Sequence, residues 1–272
     1  MIRAYTAQQV REAEQPLLAD GVPLMQRASA ALAHRTARLL RERTGGVSGR
    51  RVLLLVGPGS NGGDALFAGA VLRRRGVAVR ALQLHEGIHA DGAAALCAAG
   101  GTLRRLDDTS PMTVEAVAAA TDGVPDVVLD GILGIGGRAE LGADLRTVTE
   151  TVRAWASPVI AVDLPSGLDA TTGEAAPGVL AADETVTFGA VKTGLLLPGT
   201  PGTDGGADLA GQIHCVDIGL GTQLPARAPV CRLTDEDVRA RWPVPTRHDH
   251  KYSRGVVAVL AGSETYPGAA VL

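Results

Sequence analysis

The stretch Arg51-Val52-Leu53-Leu54-Leu55-Val56, Gly57-Pro58-Gly59-Ser60-Asn61-Gly62-Gly63-Asp64, Ala65-Leu66-Phe67-Ala68-Gly69-Ala70-Val71-Leu72 decides the fold. Its first block is an apolar run of strand length, its second a glycine loop, and its third the opening of a helix. Gly57, Gly59, Gly62 and Gly63 strip side chains from the handover between strand and helix, so backbone N–H groups can approach a ligand closely. A binding site for a nucleotide-like molecule is expected there.

Two familiar loop chemistries fit only in part. Gly57, Gly59 and Gly62 satisfy G-x-G-x-x-G, but the dinucleotide fingerprint also needs an acidic residue at the end of the next strand, roughly 20 residues on. The next strand-like run, Val77 to Leu84, is followed by His85-Glu86, so Glu86 arrives late. Asp64 is the larger obstacle, because it sets a carboxylate where a helix N-terminus should receive a pyrophosphate. A Walker loop would need Lys-Ser or Lys-Thr in place of Gly63-Asp64. For the loop alone, a plain glycine-rich connection remains the alternative.

The chain has 272 residues, 46% of them hydrophobic, enough for one substantial core or for one domain and part of another. A net charge of -3 and an aromatic content of 3% provide neither a basic stripe nor stacking platforms, which argues against nucleic acid as a partner. Cys97, Cys215 and Cys231 are widely spaced and never form C-x-x-C, so neither a disulfide framework nor a zinc site is indicated. His248-Asp249-His250 has no third ligand nearby in sequence and is assigned no transition metal. With no apolar leader and no run approaching the ~18 residues of a membrane span, the expected setting is cytoplasmic, with no membrane partner.

Thr6-Ala7-Gln8-Gln9 predicts a capping box and a helix to about Ala19; Gly21-Val22-Pro23 breaks it, and a longer helix runs to about Arg43. Strand-like runs then recur at Arg51 to Val56, Val77 to Leu84, Thr102 to Leu106, Asp126 to Leu129, Pro158 to Val162, Thr185 to Phe188 and Ile213 to Val216, mostly separated by alanine-rich helical segments. This alternation indicates an α/β fold, a doubly wound, Rossmann-like αβα sandwich with a mostly parallel sheet. Gly199 to Gly211 reads as a loop, Gly219 to Pro229 as a linker, and Val256 to Leu260 as a further strand before another glycine turn. The part after the linker, fewer than about 45 residues, is near the lower limit for an independent core. It reads as the start of a second domain.

In open α/β sheets ligands bind beyond the carboxyl ends of the strands, where strand order reverses. Three runs end there with polar groups and glycines: Val56 with Gly57 to Asp64, Leu129 with Asp130-Gly131-Ile132-Leu133-Gly134-Ile135-Gly136-Gly137-Arg138, and Val162 with Asp163-Leu164-Pro165-Ser166-Gly167-Leu168-Asp169. Each aspartate alone is explained equally well by capping or turn formation. Together they provide acid/base groups and hard oxygen ligands, and a cation would offset their repulsion. Lys192, one of two lysines with Lys251, is either solvated or functional.

At these residues the chain resembles the NAD(P)H-hydrate epimerase family, the YjeF N-terminal domain type. Gly57 to Asp64 is similar to its G-x-G-N-N-G-G-D loop, Asp130 to Gly136 to its D-x-x-x-G-x-G segment, and Val162 to Asp169 to its V-D-x-P-S-G-x-D segment. Thr185 to Phe188 with Lys192, and Val216 to Gly219, match later landmarks. The resemblance spans about residues 5 to 222 and implies a domain over 1–222 that interconverts the R and S hydrates of NADH or NADPH, the small molecules NADHX and NADPHX. By the same carry-over, Ser60, Asn61, Gly62, Gly63, Asp64, Gly134, Ile135, Gly136, Gly137, Arg138, Ala139, Glu140 and Asp163 contact the hydrate, while Asn61, Asp130 and Ser166 hold a potassium ion. Asp163 is expected to move the proton, with Lys192 as possible electrostatic support. A homo-oligomer such as a dimer is expected. The family's M-E-N-A-G stands here as Met25-Gln26-Arg27-Ala28-Ser29, and Ser60 replaces its loop asparagine.

His250 to Val256, with Ala261-Gly262-Ser263 and Tyr266 to Ala270, resembles the opening of an ADP-dependent NAD(P)H-hydrate dehydratase domain, ribokinase-like in fold. Residues 223–272 are therefore expected to be a linker and a cut-off start of that domain, with ADP relevant only to the missing part. The chain is expected not to dehydrate, whereas a complete product would be bifunctional. A non-catalytic nucleotide- or protein-binding scaffold is the main rival, and an NAD-dependent dehydrogenase the second.

Overall fold

The computed structural model describes residues 1–105, 113–121, 123–136, 141–250, 252–253, 255–258, 263 and 265. Met1–Arg232 form one compact unit and Leu233–Leu272 another. In chain order the first unit carries β1 (Ile2–Tyr5), α1 (Ala7–Ala19), α2 (Leu24–Thr44), β2 (Arg51–Val56), α3 (Gly59–Arg74), β3 (Ala78–Gln83), α4 (Ala90–Ala98), β4 (Thr102–Arg105) and α5 (Val114–Thr121). It continues with β5 (Val127–Gly131), α6 (Ala143–Ala154), β6 (Val159–Val162), β7 (Glu184–Phe188), β8 (Val191–Lys192), α7 (Gly206–Leu209), β9 (Gln212–Val216) and β10 (Val230–Arg232). The second unit contributes α8 (Asp235–Arg241), capped by Thr234 and Asp237.

Seven strands form one sheet in the order β4-β3-β2-β5-β6-β7-β9. Every pairing in it is parallel. Strand order reverses between β2 and β5, which opens a crevice beyond their carboxyl ends. The unbroken apolar run of β2 follows from burial on both faces. Val52, Leu54 and Val56 pack with Leu32, Leu66 and Leu96 on one side, while Leu53 and Leu55 pack with Val117, Val148 and Val152 on the other. The expected doubly wound α/β architecture is thus present.

The glycine stretch is not a loop throughout. Helix α3 starts at Gly59, with Pro58 as its cap residue, so Asn61 to Asp64 are helical. The physical reason for the glycines is close packing: a Cβ on Gly57 would lie 1.9 Å from the Ile132 carbonyl oxygen, and one on Gly62 would lie 2.2 Å from that of Gly57. This also corrects the argument from Asp64. It lies in the second turn of α3, away from the exposed N–H groups of the first.

A three-stranded sheet, β10-β1-β8, has no counterpart in the sequence reading. β1 is only four residues long, and its partners come from far along the chain. Because β10 pairs antiparallel with β1, the compact unit runs through the Gly/Pro/Ala-rich segment to Arg232. Of the strand expected over Val256 to Leu260, Val256 to Ala258 carry no regular secondary structure, and Val259 and Leu260 lie outside the described residues. Among the described residues no helix is long and apolar enough to cross a membrane.

Candidate active site

A cavity of about 520 Å³ opens at the reversal of strand order. Ser60, Asn61 and Asp64 reach it from α3, Leu133 to Gly136 from the segment after β5, Asp163 from the end of β6, and Phe188 and Lys192 from β7 and β8. The sequence reading brought the segments after β2, β5 and β6 to one rim, and residues of all three line this cavity together with Phe188 and Lys192. Gly62 and Gly63 are not among the lining residues; Gly63 packs on His89 and Met25. Asp130 and Ser166 are buried and likewise absent from the lining. Gly137, Arg138, Ala139 and Glu140 lie outside the described residues.

Asp163 ends β6 in a left-handed conformation, φ 67°, which Asp tolerates better than most residues. Its Oδ1 accepts from the Lys192 ammonium, from Thr187 Oγ1 at 3.0 Å and from the Phe188 N–H at 3.3 Å. Lys192 is 1% exposed and also donates to Thr187 Oγ1 and the Phe188 carbonyl, each at 3.0 Å. The solvated reading of Lys192 is thereby excluded. The three bonds to Asp163 all fall on Oδ1; among the described residues Oδ2 has no hydrogen-bond partner.

Asp130, fully buried in β5, ties two loops together. Its Oδ2 accepts from the Ser166 N–H at 2.9 Å, and its Oδ1 from Ser166 Oγ at 2.6 Å and the Ile132 N–H at 3.3 Å. Ser166 Oγ in turn accepts from the Leu133 N–H at 2.9 Å. Burial raises the Asp130 carboxyl above its usual range, against the lowering effect of the Ser166 and Ile132 bonds. Asn61 packs beneath Gly134, where an added Cβ would sit 3.1 Å from its own, and its amide nitrogen is buried without a partner among the described residues.

The sequence reading missed the contribution of the first two helices. Arg11, Glu14 and Leu18 of α1, and Leu24, Met25 and Ala28 of α2, complete the cavity wall. The i, i+3, i+7 spacing of Arg11, Glu14 and Leu18 marks one helix face, but nothing local says that this face covers a site. The Arg11 guanidinium donates to the Ile135 carbonyl and so joins α1 to the segment after β5. Ile218 closes the cavity, and its carbonyl accepts from Arg27 Nη1 at 2.7 Å. Arg27→Ala is expected to lower stability by about 1–2 kcal/mol, read as a lower urea midpoint at unchanged slope.

Electrostatics separate the acids. Asp64 is pushed up to about 8, chiefly by burial, then by the charges of Asp163 and Glu14, with Lys192 opposing. Glu14 is raised too, by burial first; Lys192 and Arg11 work against that shift and Asp163 adds to it. Because the folded value for Asp64 exceeds the ordinary 3.8, the fold holds a proton that the unfolded chain releases. Its contribution to stability is whole below about pH 4 and declines as pH climbs toward 8.

Residues 22–194 match the family model described as "YjeF-related protein N-terminus". This chain belongs to that family. Among relatives of the YjeF-related family, a protein of Mycobacterium tuberculosis named bifunctional NAD(P)H-hydrate repair enzyme Nnr is 46% identical over 98% of this chain and 52% of its own length. One from Microbacterium testaceum, named NAD(P)H-hydrate epimerase, is 41% identical over 88% of this chain and 87% of its own. The chain thus spans about half the length of the bifunctional relatives it matches. The crystal structure of yeast ynu0 shares the fold at TM-score 0.59 and 18% identity, covering 71% of this chain and 82% of that one.

Proposed function

We propose that this chain epimerises the R and S hydrates of NADH or NADPH in the cavity walled by α1, α3 and the ends of β5, β6 and β7. The observation that carries this reading is Asp163: a carboxylate fixed at Oδ1 by Lys192, Thr187 and Phe188 N–H, with Oδ2 left open in a family whose relatives include named epimerases. Inversion at the hydrated ring carbon requires proton transfer to and from oxygen, and a held carboxylate provides a base for it. Lys192 locks the geometry. Ser60, Asn61, Gly134, Ile135 and Gly136 supply a polar and glycine-lined wall for the hydrated ring and its nucleotide. A binding scaffold would have no need for the buried Lys192 and Asp163 pair.

The donor chemistry around Asp130 suits a hard monovalent cation. Asn61, Asp130 and Ser166 offer amide, carboxylate and hydroxyl oxygens, and such an ion would offset the full burial of the Asp130 carboxylate. Potassium there would neutralise Asp130 and brace the segments that carry Leu133 and Ser166. Of the expected 223–272 segment, the part after Arg232, where the first compact unit ends, is read as the opening of a dehydratase domain, supported by a match to a bifunctional relative that covers 98% of this chain. A homodimer in the cytoplasm completes the reading.

The test is direct. Purified protein is mixed with the R-hydrate of NADPH and conversion to the S form is followed by chromatography. Conversion well above the spontaneous rate, lost in Asp163→Asn, is expected; equilibration no faster than buffer alone would refute the assignment.

A further inference from the structure

Asp163 explains one proton, but inversion at a carbinol carbon beside a ring nitrogen needs two. The hydroxyl must leave one face and water must return on the other. Departure requires an acid, since hydroxide is a poor leaving group, and return requires a base. Asp64 and Asp163 line the same cavity from different walls. Asp64 is carried on α3 after β2, Asp163 ends β6, and one strand, β5, lies between β2 and β6. The cavity of about 520 Å³ lies between these walls, with a carboxyl group on each. The two carboxyl groups are also bonded differently. Asp163 is held by charged and neutral donors on Oδ1, whereas Asp64 Oδ1 is buried with no partner among the described residues.

Resting on the epimerase reading, we propose that Asp64 is the general acid of the inversion and that Asp163 Oδ2 is its base. Asp64 gives its proton to the departing hydroxyl. The carbon–oxygen bond breaks, water leaves, and the ring nitrogen lone pair forms a carbon–nitrogen double bond. A water molecule then attacks from the opposite face and gives its proton to Asp163, and the electron pair returns to nitrogen. One proton is donated and one accepted, no electron is lost, and exchange with solvent resets the two carboxyls. Running from S to R, the roles reverse.

The environment of Asp64 suits this role. Glu14 of α1, Asp163 of β6 and Lys192 of β8 act on it electrostatically, Arg11 lines the same cavity, and the His89 ring packs against neighbouring Gly63. Burial and the two acids keep the proton on Asp64, about 8, so the acid form prevails at neutral pH. Lys192 alone opposes them, and it is engaged by Asp163.

The deciding experiment measures R-to-S conversion of NADPH hydrate from pH 6 to 9.5 for the wild type, Asp64→Asn, Asp64→Glu and Glu14→Gln, in water enriched in heavy oxygen. Expected for the wild type are an alkaline limb near pH 8 and one solvent oxygen taken up per inversion. For Asp64→Asn, kcat is expected to fall about 100-fold or more with little change in KM, with the limb lost; Asp64→Glu should regain part of the rate. An Asp64→Asn rate within threefold of wild type, a limb that persists in it, a limb abolished instead by Glu14→Gln, or inversion without oxygen uptake would each overturn the assignment. Should Asp64→Asn fail to fold, the wild-type profile decides: no limb between pH 7 and 9 refutes the proposal. A wild type that never exceeds the spontaneous rate brings down the epimerase reading itself, a result separate from any behaviour of the variants.

Discussion

Lys192→Met is expected to lower stability by about 3–5 kcal/mol and to abolish turnover. The substitution keeps most of the side-chain volume and removes the charge. It leaves the Asp163 carboxylate, 8% exposed, without the ammonium that its Oδ1 accepts from. Thr187 Oγ1 and the Phe188 N–H remain, but neither carries a charge. An unbalanced buried carboxylate is costly, while the intact pair contributes little beyond what apolar packing would. Asp163→Asn added to Lys192→Met is therefore expected to recover much of the lost stability and none of the activity. Urea midpoints at constant slope, set beside hydrate conversion by the same preparations, separate the two effects. Equal loss of stability in the single and double variants would contradict the account.

Asp130→Ala is expected to be the other severe change, at about 3–5 kcal/mol, with Asp130→Asn milder. Alanine removes the acceptor of the Ser166 N–H, the Ser166 hydroxyl and the Ile132 N–H together, and opens a void where nothing is exposed. Asparagine keeps the volume and one oxygen acceptor. The damage should be local before it is global, because Asp130 is what fixes Ile132 and Ser166 to each other. Hydrogen exchange is expected to accelerate in the segments after β5 and β6 at denaturant concentrations that leave the far strands protected. Unchanged protection at Leu133 and Ser166 would show that the carboxylate does not hold them.

The parallel sheet was legible because β2, β5 and β6 are short apolar runs and β7 a β-branched one, mostly set between helical patterns, and the ends of β5 and β6 carried Asp130 and Asp163. The capping box at Thr6 and Gln9 was equally legible, being wholly local. The start of α3 was not: glycines lower helix propensity, and the close approach of Gly62 to the Gly57 carbonyl, a tertiary fact, explains why a glycine is kept inside the helix. Glu14 and Arg11 escaped notice for a different reason. Their importance depends on where α1 docks, a tertiary fact with no spacing signature. Arg27, which departs from the family's asparagine, gains the Ile218 carbonyl as a partner. Nothing in the structure explains Ser60 in place of the loop asparagine.

The small sheet ties the history of the chain to its chemistry. Tyr5 registers with Lys192 across the β1–β8 ladder, and Ile2 with Arg232 across the β1–β10 ladder. During synthesis β1 must therefore wait for Val191 and Lys192, and then for Val230 to Arg232, before both its edges are satisfied. Closing so long a loop adds entropy slowly with length but delays contact formation. The backbone beneath the ammonium is thus completed late in folding, and a nascent chain holding the whole seven-stranded sheet would still lack the full brace on the lysine that lines its cavity.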